Sequence, residues 1–143
     1  MIHDAQNLFS DAQALTATAA STNLIDLGSA RNIGVGQNLY VVTIVDTAFT
    51  DSGSDSTCTV SLEGDSTTSF TPDGTQQLYV IPALAAAGAR YVGRINPDFA
   101  GNYRYIQVKY TMANGNLTTG AVTTFLTLNP DGYTSYPKGY TIS

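Results

Sequence analysis

The feature that most constrains this chain is the unbroken alternation over Tyr103–Met112. Ile106, Val108, Tyr110 and Met112 fall on one side, and Tyr105, Gln107, Lys109 and Thr111 fall on the other. A period of two is the signature of a strand with one face on a core and one on solvent. Thr57–Glu63 repeats the pattern, with Cys58, Val60 and Leu62 set against Thr57, Thr59, Ser61 and Glu63. Leu39–Asp46 differs, because LYVVTIVD is apolar on both faces and predicts a strand covered on two sides. Further strands are predicted at TNLIDL up to Gly28, Gln76–Ile81, Arg90–Asn96 and Leu117–Leu128. The composition agrees: 20 Thr, 11 Ser, 13 Gly and 9 Tyr stand where charged residues, only 12%, are scarce.

The connections are polar and glycine-rich. Pro72-Asp73-Gly74 is a turn signal, and Asn114-Gly115 predicts a tight hairpin between the strands on either side, since both residues tolerate positive φ. PALAAAGA has room for at most two helical turns before Gly88. Residues 1–20 lack a clean period. They read either as a short helix with Leu8, Ala12 and Leu15 on one face or as an extended arm whose anchors are Ile2, Leu8 and Phe9. No period buries all three anchors in the domain's own core, so they are expected to dock on a partner. The tail, 129–143, carries Tyr133, Tyr136 and Tyr140 and no core period. At 143 residues with no linker or repeat, the expectation is one all-β domain, 1–143. It is an antiparallel β-sandwich, jelly roll or immunoglobulin-like, with only short helical fragments.

Charge and residue inventory exclude most chemistries. A net charge of -5 with 6 Lys and Arg leaves no basic face for nucleic acid or for anionic membranes. The most apolar runs, Leu39–Val45 and Ile81–Ala89, are too short to span a bilayer. His3 is the single imidazole and Cys58, on the apolar face of its strand, the single thiol, so a buried small hydrophobe is expected at Cys58 rather than a nucleophile–base pair, and the usual Cys/His zinc sites are excluded. Glu63 is the single glutamate. With Asp65 it suits a solvated face better than a glycosidase pair. Asp51 and Asp55 depart from a calcium-loop pattern, because Gly53 and Leu62 occupy positions that need ligands. The expectation is a protein with no catalytic residue, cofactor or metal. Tyr103 and Tyr105, on the face opposite the apolar one, are the remaining candidate contacts, as tyrosine is enriched at interfaces. Together with the two-sided apolar strand they predict self-association.

Three stretches carry a resemblance when taken in order: MIHDAQNLFSDAQALTATAASTNLIDLG, IPALAAAGARYVGRINPD and YIQVKYTMANGNLTTGAVTTFLTL. The chain resembles the capsid cement proteins of tailed phages, the kind described for Bordetella phage. That resemblance implies a jelly-roll protein on the outer surface of an HK97-type virion capsid, joining neighbouring major capsid proteins. It also implies small homo-oligomers, a homodimer favoured and a trimer possible. The alternative from another class is a carbohydrate-binding or adhesin β-sandwich of a phage tail structure.

Overall fold

The computed structural model describes residues 4–31, 36–97, 99 and 103–133. Among the described residues nine strands form two antiparallel sheets: β1 Leu8–Ala14, β2 Ala19–Ala20, β3 Ile25–Arg31, β4 Tyr40–Thr50, β5 Thr57–Asp65, β6 Gly74–Ile81, β7 Arg90–Arg94, β8 Tyr103–Ala113 and β9 Thr119–Thr127. Sheet A runs β1-β9-β4-β7. Sheet B runs β2-β8-β5-β6, with β3 pairing the same edge of β8 as β2. Most successive strands alternate between the sheets, which is the winding of a jelly roll, with β2 and β3 sharing one strand position. Among the described residues helix is confined to two 3-10 turns, Ala5–Asn7 and Pro130–Tyr133.

The core lies between the sheets and follows the alternation. Val60 and Leu62 of β5 and Ile106, Val108 and Tyr110 of β8 face Val41 and Val45 of β4 and Val122 of β9, all fully buried. Cys58 is buried among them, and desolvation pushes its thiol up to about 12, which makes it an inert hydrophobe. A file of hydroxyls crosses this core. Tyr79 Oη meets Thr43 Oγ1 at 2.7 Å, Thr43 meets Thr124 Oγ1 at 2.8 Å, and Tyr110 Oη donates to Thr124 at 2.7 Å. Tyr110 also lies 2.7 Å from Ser10 Oγ, which donates to Gln13 Oε1 at 2.6 Å. Each buried hydroxyl therefore has a partner, and the file stitches β6 and β8 of one sheet to β4, β9 and β1 of the other.

Several expectations are corrected. The segment read as a helix or free arm is largely strand β1, paired with β9 through two register shifts. Those shifts, with Ala12 at φ 46, erase the period that marks a strand. PALAAAGA is not helical, because Leu84 (φ 57) and Gly88 (φ 87) take left-handed conformations and its backbone bonds alongside β4. The third strand runs on through Gly28 to Arg31. Asn114 and Gly115 do adopt positive φ, 63° and 113°, but they do not close a hairpin. The chain changes sheets there: Leu117 drops into the core, the Thr118 amide bonds to Thr50 O, and β8 and β9 end in opposite sheets.

Candidate functional site

Among the described residues no cluster of three His, Cys, Asp or Glu could hold a metal ion, and a hollow beside β3, lined by Gln6, Leu8, Asn23, Ile25 and Asp26 among others, contains a single carboxylate. Asp51 closes its own loop, its Oδ2 accepting from the amides of Asp55 (3.3 Å) and Ser56 (2.8 Å). The Ser56 side chain first, and then the backbone amides around it, hold the Asp51 carboxyl below the usual carboxylate range. Asp65 does the same at the end of β5, with Oδ1 taking the Thr67 amide at 2.8 Å. What the fold offers is surface: two outer sheet faces and the seams along which the sheets meet.

The seams are closed by one device used twice. Gln76 of β6 reaches β7, its Nε2 donating to Arg94 O (3.0 Å) and its Oε1 accepting from the Asn96 amide (2.9 Å). Gln13 of β1 reaches β2 in the same way, to Ala20 O (2.8 Å) and from the Thr22 amide (3.0 Å). A carbonyl and the amide two residues on are the groups a neighbouring parallel strand would take, so each side-chain amide stands in for one peptide of such a strand. Free edges invite further strands, and these amides occupy them at the two seams. No sequence pattern marks the pair, because each glutamine's partners lie in another sheet.

The outer faces differ in kind. On sheet B the outward row of β8, Tyr105, Gln107, Lys109 and Thr111, lies beside the outward row of β5, Thr57, Thr59, Ser61 and Glu63. Most of these side chains are half-buried and Thr111 is exposed. Gln107 Nε2 donates to Glu63 Oε2 at 2.9 Å. The Arg104 guanidinium lies 5.0 Å from the Tyr105 ring centroid. Arg104 also makes a two-bond pair with Asp26, at 2.9 and 3.0 Å, which holds the Asp26 carboxyl below its ordinary range. On sheet A, register sets Leu8, Phe125, Val42 and Val92 side by side across β1, β9, β4 and β7 on the outward side. Val42 is 0% and Phe125 2% exposed, although neither belongs to the inner core cluster. The expectation that β4 is covered on both faces is met at this row.

Of the predicted contacts, Tyr105 stands on an outer face as expected. Tyr103 does not: its ring turns inward and packs beside Phe99, centroids 5.2 Å apart, against the core. The reason lies on other strands, since Gly64 and Gly74 leave the room it fills and a Cβ on either would overlap the ring. Phe9 is 0% exposed within the protein's own core and so is not a free anchor, because the irregular pairing of β1 turns it inward. Leu8 is half-buried on the outer face of sheet A, paired with Phe125. Ile2 lies outside the described residues, as does all of the tail beyond Tyr133.

No curated protein matches the chain. A family model does, over residues 9–126, from β1 almost to the end of β9. The chain therefore belongs to the Bbp16 family, whose name suggests a Bordetella phage protein.

Proposed function

We propose that this protein is a cement protein that sits on the outer surface of an HK97-type phage capsid and joins neighbouring major capsid proteins. It acts as a small homo-oligomer, a dimer before a trimer, without catalysis or cofactor. Membership of the Bbp16 family supports a virion protein. The observation that carries the reading further is the polar outer face of sheet B, where half-buried Tyr105 and Lys109 stand in the outward row of β8. A flat sheet face with a tyrosine anchor and a polar rim suits a protein partner. Modest contacts repeated over a shell add up through avidity.

Co-sedimentation with purified shells tests this. The wild-type chain is expected to pellet with shells, and Tyr105→Ser with Lys109→Ala to lose at least about tenfold in occupancy at unchanged melting temperature. A chain that stays in the supernatant, or that instead binds a glycan array, contradicts the proposal.

A further inference from the structure

The centre of the outer row of sheet A, Val42 and Phe125, is buried and needs a cover, whereas Leu8 at one end is half-buried and Val92 at the other is 38% exposed. Small side chains at the centre of an open sheet face keep part of their surface in water, as the outward Thr57 and Thr59 of sheet B do. Val42 and Phe125 keep essentially none, yet they point away from the core. The path of the chain after β9 indicates the cover. Arg90 belongs to β7, two strands beyond β9, and is paired with Ile44 in the outward set of β4. Its Nη1 donates to the carbonyl of Pro130. Within three residues of leaving β9 the chain thus lies on the outer side of sheet A, within reach of a side chain that starts two strands away.

We infer that the outer face of sheet A is a docking surface and that its occupant is the protein's own C-terminal segment, residues 134–143. Ten residues reach about 33 Å when extended, whereas four strands span only about 14 Å. The segment supplies Tyr136, Pro137, Tyr140 and Ile142 and a single charge, Lys138, a composition suited to an apolar row. Leu8, Phe125, Val42 and Val92 form that row. The contact lies within one chain and so does not depend on capsid binding.

The test compares the full chain with one ending at Tyr133, both free of shells. The shortened chain is expected to melt roughly 5 °C or more lower and to bind a hydrophobic dye that the full chain ignores. A synthetic peptide of residues 128–143, added in excess, should restore both. Equal melting temperatures with no dye binding would overturn the inference. So would full-chain burial of Phe125 that is lost on dilution, since the cover would then be a second copy. Should the shortened chain fail to fold, the full-length double variant Tyr136→Ser, Tyr140→Ser gives the answer. Radical labelling of Phe125 is expected to rise at least about threefold in it, and an unchanged rate refutes the assignment.

Discussion

The two outer faces of the sandwich are built from strands of similar length and pairing, yet one is polar and open while the other is apolar and covered. Sheet B presents Thr59, Gln107 and Lys109, each half-buried, around Tyr105. Sheet A presents Val42 and Phe125, which no water reaches to any extent. The difference teaches that the hydrophobic pattern of a strand reports how many layers lie against it. β8, with one apolar face, has one neighbouring layer, and β4, with two, has the core on one side and a cover on the other. Under the proposed capsid role, it leaves sheet B as the face for the partner.

The sharpest way to break the comparison is to shave the covered face. Phe125→Ala is expected to cost about 3–5 kcal/mol in urea unfolding, as for any buried aromatic. Thr59→Ala on the open face should stay within about 0.5 kcal/mol. Equal effects from the two would mean that the faces do not differ. The hydroxyl file comes next. Tyr110→Phe leaves Ser10 and Thr124 without a shared partner, for an expected loss of about 1–3 kcal/mol and no change in sheet order by circular dichroism. Gln76→Ala and Gln13→Ala each open a seam and should cost about 1 kcal/mol. They should also raise concentration-dependent aggregation, read by light scattering, because edge groups are released.

Smallest is an acid effect confined to the open side. The Asp26 carboxyl is held below its ordinary value of 3.8 by the bonds from Arg104 and the Gly28 amide. A folded pKa below the unfolded one gives stability that is present above the unfolded value and lost as pH falls through the folded one. Asp26→Asn should therefore lower stability slightly near neutrality, where the carboxylate's contribution is fully present, and flatten the fall in stability below about pH 4, as followed by acid titration of unfolding.

How much of this was legible beforehand depends on whether the cause was local. The faces of β5 and β8 could be read because alternation is carried by each strand alone. The two-sided burial of β4 was legible for the same reason. β1 was hidden because its bulges turn the consecutive residues Phe9 and Ser10 both inward. The positive φ at Asn114-Gly115 was readable from turn chemistry, but the sheet that the chain enters afterwards was not. That choice is made by Leu117, which finds core between the sheets. Tyr103 was assigned to the wrong face because the space that draws it inward is left by Gly64 and Gly74, on strands distant in sequence. Tyr105, whose surroundings are set by its own strand and by Arg104, was placed correctly.

One measurement tests the contrast of faces and its consequence together: hydroxyl-radical footprinting of Tyr105 and Phe125, first on the free protein and then on the protein bound to shells. Tyr105 is expected to be labelled when free and protected at least about threefold on the shell, while Phe125 is labelled slowly in both states. Rapid labelling of Phe125 in the free protein, or a Tyr105 whose rate the shell leaves unchanged, would contradict this expectation.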